Sequence, residues 1–172
     1  MTMELENELL LFIISSPSGA GKTTITQRLL KTFEGKLAFS VSHTTRKPRA
    51  NEVDGQDYHF VDVPTFKALV AQDRFAEWAE VHGNYYGTSV EEIDRAKREH
   101  RRGLLFDVDY QGARQIKAKL PEAVGIFILP PTLDELERRL RTRALDDDAT
   151  IARRFAKAVS YTHLRAHETV LD

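Results

Sequence analysis

The segment that most constrains this chain is residues 9–24, LLLFIISSPSGAGKTT. Residues 9–15 form a continuous apolar run, the pattern of a short strand buried on both faces. Small residues follow, and residues 22–31 then carry Ile25, Leu29 and Leu30 at helical spacing. The turn reads Ser16-Pro17-Ser18-Gly19-Ala20-Gly21-Lys22-Thr23-Thr24. This is the phosphate-loop pattern G-x-x-x-x-G-K-[ST] with only its first glycine changed, to Ser16. Small residues let consecutive backbone N–H groups point inward around phosphate oxygens, and the helix behind them offers its positive end. Lys22 supplies a mobile ammonium for the outer phosphates and Thr23 a hydroxyl for a magnesium ion. The alternative is a glycine-rich turn before an ordinary helix. The buried strand before the turn and the amphipathic helix after it favour nucleotide binding, with residues 16–24 as the ATP site. Ser16 stands where glycine's conformational freedom is often used.

The rest of the chain alternates in the same way. Phe39 and Val41 alternate with Ser40 and Ser42, which predicts a second strand. Residues 58–61 read as a strand and 64–72 as a short helix, with Asp62 or Val63 near its start and Pro64 in its first turn. Residues 89–101 predict a helix in which Ser89 and Glu92 have capping-box spacing, arginines fill the last turn and Gly103 ends it. A buried strand at 104–108, a helix at 110–119 and a strand at 124–129 follow. Thr132 with Glu135 caps a helix running to about Arg143, and Thr150 starts a last one. Strand and helix alternating at both ends argue for a parallel sheet covered on both faces. The polar, irregular stretch 44–88 reads as an insertion.

A chain of 172 residues has room for one domain with a sizeable core. Its formal net charge of −1 gives no global attraction to nucleic acid or membrane. The absence of cysteine excludes disulfides, thiolate metal sites and cysteine nucleophiles, and is compatible with a reducing cytoplasm. The apolar run near the start is too short to span a bilayer, and the residues before it are acidic, unlike a secretory signal. The expectation is a cytoplasmic protein with neither a nucleic-acid nor a membrane partner; oligomeric state is not legible.

A second cluster narrows the function. Ser42-His43-Thr44-Thr45-Arg46-Lys47-Pro48-Arg49 is followed by Asp54-Gly55-Gln56-Asp57-Tyr58-His59-Phe60, then by Phe75-Ala76-Glu77-Trp78 and Gly83-Asn84-Tyr85-Tyr86-Gly87-Thr88. Together these resemble the acceptor site of guanylate kinases: S-x-T-T-R-x-P-R, G-x-x-Y-x-F, F-x-E-W and G-N-Y-Y-G-T. The resemblance runs from about residue 11 to 158. It implies a three-layer P-loop NTPase fold with a parallel core sheet at 8–43 and 89–138, a GMP-binding insertion at 44–88 and a short helical lid at 139–155. It also implies transfer of the γ-phosphoryl group of ATP to GMP. Arg46 and Arg49 would grip the GMP phosphate, since guanidinium forks match phosphate oxygens, and Tyr58 and Tyr86 would add hydroxyls. Glu77 would accept from guanine N1 and N2, a donor pair that adenine lacks, so a buried Glu77 would reject AMP. Ser42 and Thr88 would hold the base from the sides, and Asp109 would assist at the 2-amine. Lys47, Tyr85 and Trp78 read as solvated or packing residues.

Asp107, closing the strand at 104–106, stands in the place of a Walker-B acid and would orient Mg2+ through water. The alternative is a cap for the helix at Tyr110, which suits Asp109 better. Arg139-Leu140-Arg141-Thr142-Arg143 and Arg153-Arg154 resemble the family's lid, which assigns Arg139, Arg143 and Arg154 to the ATP phosphates and the transition state. With Lys22 and Arg46 these are the expected catalytic cations. Arg138 and Arg141 read as salt-linked to Glu135 and Glu137. Ala144-Leu145 stand where the family usually has Gly-Thr, which predicts a stiffer hinge.

Residues 159–172 do not fit. They resemble one reading frame of a sequencing-library adapter, so the expectation is a native sequence ending near Ala158 and a non-native tail. A metal pair at His163 and His167 is the rival reading. Guanylate kinases continue into one more strand and helix; without these the strand near Ile126 would be a sheet edge and the product aggregation-prone. Three other functions stay open: a non-catalytic guanylate-kinase-like interaction domain, against which Gly19, Gly21, Lys22 and Thr23 speak; another P-loop kinase, disfavoured by Glu77 and the paired arginines; and an inactive fragment.

Overall fold

The computed structural model describes residues 8–142, 151, 152, 155, 156 and 159. Two sheets organise them. The first has strand order β2-β7-β1-β8, all parallel, from β1 (Leu10–Ser15), β2 (Leu37–Phe39), β7 (Gly103–Asp107) and β8 (Val124–Phe127). Helices α1 (Lys22–Thr32), α3 (Glu91–Arg98), α4 (Tyr110–Lys119) and α5 (Leu133–Thr142) connect and follow these strands. The second sheet has order β4-β3-β6-β5, from β3 (His43–Thr44), β4 (His59–Phe60), β5 (Phe75–Val81) and β6 (Asn84–Ser89), with α2 (Val63–Ala71) between β4 and β5.

The apolar run at the start forms β1, as its composition demands. Leu11, Ile13, Leu104, Phe106 and Ile116 are buried together, each contributing about 1.5–3 kcal/mol through removal from water. Register aligns Ile14 with Asp107 on one side and Ile126 on the other, so the carboxyl ends of three strands lie side by side. Ligands of open parallel sheets bind at such an end. The outer strand β8 leaves Val124 and Ile126 exposed. The second sheet has its own core: Phe66 is fully buried and stacks on Phe75 and Tyr85 at centroid distances of 4.5 and 5.4 Å. Tyr85 is therefore a packing residue, as read from sequence, and Trp78, though 41% exposed, lies against the same cluster, 6.5 Å from Phe66 and 6.2 Å from Tyr85.

Helix α4 begins and ends where its sequence predicts, and Asp109 caps it by accepting from Gly112 N at 2.9 Å. Asp62 caps α2 through Thr65 N, and Thr132 caps α5 through Glu135 N. Three expectations are corrected. The second strand stops at Phe39 instead of running through Val41, because the Val41 N–H is taken by the Glu92 carboxylate at 2.8 Å. That same contact removes the Ser89–Glu92 capping box. Ser89 remains in β6, its hydroxyl accepting from Glu91 N and donating to Arg74 O, while Glu92 turns inward and is only 4% exposed. Glu92 also accepts from Arg95, which donates to Phe39 O, so a half-buried ion pair ties α3 to the passage between the two sheets. Finally, α3 ends before a left-handed His100 and not at Gly103. Gly103 opens β7, where a Cβ would meet Leu37 at 2.9 Å and Phe12 at 3.1 Å.

Candidate active site

The loop at 16–20 leaves β1 and wraps back on itself, Ala20 N donating to Pro17 O, before α1 starts. Gly19 and Gly21 have φ of 88° and 102°, a region costly for any residue with a side chain. Gly19 is doubly required, since a Cβ there would lie 3.2 Å from both Leu136 and Leu140 of α5. Ser16 is not among the positive-φ residues, so the loop does not need glycine at that position; its hydroxyl bonds Pro17 O. Lys22 Nζ pairs with the Asp107 carboxylate and donates to Val108 O at 3.2 Å. A cavity of about 620 Å³ lies over the loop, lined by Gly19, Ala20, Gly21, Thr24, Leu129 and Arg139 among others.

Arg139 reaches this loop. Its guanidinium lies 3.4 Å from Ala20 O and is held by Glu135 at 2.6 Å, while Arg138 donates to both oxygens of the same carboxylate. These arginines, Arg138 first, pull the Glu135 pKa down to about 2. Arg141 pairs with Glu137, as expected from sequence. Arg143, Arg154, the Ala144-Leu145 hinge, most of the lid and the His163/His167 pair lie outside the described residues.

Across the end of β7 from Lys22 is a second polar cluster. Thr88 donates to Glu77 Oε1 at 2.7 Å and lies 3.3 Å from the Ser42 hydroxyl, so Ser42, Thr88 and Glu77 form one chain. Glu77 faces the first turn of α4, its Oε2 3.2 Å from where a Cβ on Gly112 would stand. Burial raises the Glu77 pKa; the Thr88 hydrogen bond opposes this and the charge of Asp109 adds to it. The end of β7 thus joins both halves: Asp107 pairs with Lys22 and, two residues on, the charge of Asp109 acts on Glu77.

The third group is cationic and aromatic. Arg46 lies over the Tyr58 and Phe60 rings at 5.4 and 5.9 Å, and the Tyr58 and Tyr86 rings are 6.2 Å apart. Burial raises the Tyr58 pKa, keeping its phenol a hydrogen-bond donor. Arg49 joins more loosely, with a side chain 77% exposed. What binds the two arginines together is Glu52, which sequence reasoning missed. Its Oε1 accepts from Arg46 at 2.8 Å and its Oε2 from Arg49 N at 2.8 Å. These two donors, Arg46 first, hold the Glu52 carboxyl below the usual carboxylate range. A turn of four residues returning a carboxylate to two arginines is a signal the sequence carries, although a charged loop ordinarily reads as solvated.

The Asp107 carboxylate paired with Lys22 and the Thr23 hydroxyl, next in sequence to Lys22, are hard oxygen donors of the kind magnesium takes. Among the described residues no group of three or more His, Cys, Asp or Glu gathers as a metal cage. Among the described residues no helix is long and apolar enough to cross a membrane.

Comparison with known proteins finds relatives over most of the chain. The guanylate kinase family model matches residues 9–172. The guanylate kinase of Shewanella sp. (strain MR-7) is 52% identical over 162 residues, 94% of this chain and 78% of that protein. That of Nitratidesulfovibrio vulgaris is 54% identical over 156 residues, 91% of this chain and 74% of that protein. Among solved structures, guanylate kinase from Anaplasma phagocytophilum aligns with a TM-score of 0.62 at 32% identity, covering 91% of this chain and 72% of that one.

Proposed function

This chain belongs to the guanylate kinase family, and on that premise we propose how its side chains divide the work. The reaction is transfer of the γ-phosphoryl group of ATP to GMP, giving ADP and GDP. ATP occupies the loop at 16–24, whose N–H groups and helix end meet its phosphates. Lys22 exchanges Asp107 for the outer phosphates. Thr23 and Asp107 would hold Mg2+, which supplies neutralisation of charge on the β- and γ-oxygens.

GMP lies across the end of β7. Its phosphate meets Arg46, Arg49, Tyr58 and Tyr86, and its base meets Glu77, Thr88, Ser42 and Asp109. The observation that carries this reading is the half-buried Glu77 carboxylate, held by Thr88 and packed against Gly112. A carboxylate so enclosed gains most from a ligand presenting two adjacent N–H donors, as guanine does, and is left unpaired by adenine.

An oxygen of the GMP phosphate attacks the γ-phosphorus of ATP in line, one O–P bond forms, and the bond to the β-phosphate oxygen breaks. No side chain needs to act as a strong base, because the attacking oxygen is already anionic. Catalysis is positioning together with neutralisation of charge by Lys22, Arg46 and Arg139, joined by Arg143 and Arg154. Residues 8–43 and 89–138 serve as the core, 44–88 as the GMP insertion and 139–155 as the lid. The cytoplasm, where both nucleotides occur, is the proposed location. Initial rates with ATP and magnesium, comparing GMP, AMP and UMP as acceptors, test the reading. Turnover with GMP alone is expected; equal turnover with AMP contradicts the role given to Glu77.

A further inference from the structure

We propose that Gln115 and Lys119 are positioning residues for Glu77 and so for the choice of purine; the proposal rests on the guanine-reading role given to Glu77 above. Among the described residues β5 is the outer strand of its sheet, so one of its edges has no strand partner. The core helix α4 lies against that strand. On α4, Gln115 Nε2 donates to Trp78 O at 3.3 Å while its Oε1 accepts from Trp78 N at 3.3 Å. A side-chain amide thereby does for one residue what a neighbouring strand does for a whole edge. One turn on, Lys119 Nζ donates to Phe75 O at 2.8 Å and pairs with Asp73 at 2.6 Å. One turn back is Gly112, against which the Glu77 carboxylate packs. Residues spaced three and seven apart share one helix face.

Between the two anchors β5 is irregular. Phe75 pairs with Ser89 and Glu77 with Thr88, so Ala76 is an extra residue and the strand is bulged immediately before Glu77. A bulge re-aims the side chains beside it, and a slip of one residue would turn Glu77 to the opposite face. Lys119 fixes the backbone just before the bulge and Gln115 just after it. Glu77 is held from outside its own sheet, by the element that also carries Asp109 at its cap. A groove of about 400 Å³ beside Trp78, Gln115 and Lys119 leaves room for water when either side chain is shortened. The edge then stays hydrogen-bonded to solvent, and what is lost is aim.

The test compares Gln115→Leu and Lys119→Met with the unaltered chain, using GMP and IMP as acceptors, since IMP lacks the 2-amine that the second carboxylate bond requires. Each variant is expected to raise KM for GMP about fivefold or more, leaving kcat and KM for ATP within about twofold. The GMP-over-IMP preference in kcat/KM should fall about tenfold. Lys119→Arg should keep the unaltered preference. A lower Tm with the preference intact overturns the proposal. Glu77→Gln is measured alongside. If it loses the preference while Gln115→Leu and Lys119→Met keep it, only the positioning roles fail. If it keeps the preference, the guanine-reading role fails and the proposal with it.

Discussion

The two halves of the site are built by different means. The donor half is one contiguous loop in which backbone conformation does most of the work: two glycines at positive φ and a helix start. The acceptor half is gathered from residues 42, 46–58, 77, 86–88 and 109, and is held by side chains gripping side chains. A local loop depends on which residues can adopt its dihedrals. A gathered site depends on partners that hold each reader in place, such as Glu52 for Arg46 and Thr88 for Glu77. Errors in the first half should therefore abolish chemistry, whereas errors in the second should loosen one substrate and leave the other alone.

The largest expected effect is on the donor side. Lys22→Met should lower kcat by about 10³-fold, measured by a coupled assay at saturating ATP and GMP. Near-normal turnover would erase the distinction between the halves. Next, Glu77→Gln should reduce kcat/KM for GMP by about 10²-fold with KM for ATP unchanged. The same residue fixes a pH dependence. In the role proposed for it Glu77 accepts from guanine as the ionised carboxylate, and burial raises its pKa. Affinity for GMP should be full above that raised pKa and fall as pH drops through it, a fall absent in Glu77→Gln. Calorimetric titration of GMP across the acid range reads both.

Smaller effects sharpen the comparison within the acceptor half. Glu52→Gln keeps the shape but removes the charge that bridges Arg46 and the Arg49 N–H. It should raise KM for GMP about tenfold and change kcat by no more than a few-fold. Asp109→Asn is expected to be the mildest, because asparagine caps a helix as well as aspartate does. Thermal stability should be unchanged within about 0.5 kcal/mol. The Glu77 pKa should fall, since the Asp109 charge is one cause of its elevation. The midpoint of the GMP pH profile should move in the acid direction.

The same contrast explains what could be read from the chain. The phosphate loop, the strand before it and the Asp109 cap of α4 were legible because their physics lies within a few consecutive residues. The acceptor residues were legible as a set only through the resemblance, since nothing local says that Glu77 and Thr88 touch. Glu92 was read as a capping residue, whereas its decisive partner, Val41 N, is 51 positions away. Gln115 was not singled out, since an exposed glutamine on a helix looks like solvated surface until the β5 edge is seen against it. The ion pairs of Arg138 with Glu135 and Arg141 with Glu137 followed from spacings of three and four, yet the approach of Arg139 to Ala20 did not.

One titration addresses both halves at once. A dinucleoside polyphosphate with adenosine at one end and guanosine at the other should occupy both sites, linked across the end of β7. Calorimetry should give one molecule per chain, bound at least about 10²-fold more tightly than ATP or GMP alone. Lys22→Met and Glu77→Gln should each weaken it. An affinity no better than that of ATP, and indifferent to Glu77→Gln, would contradict a shared site.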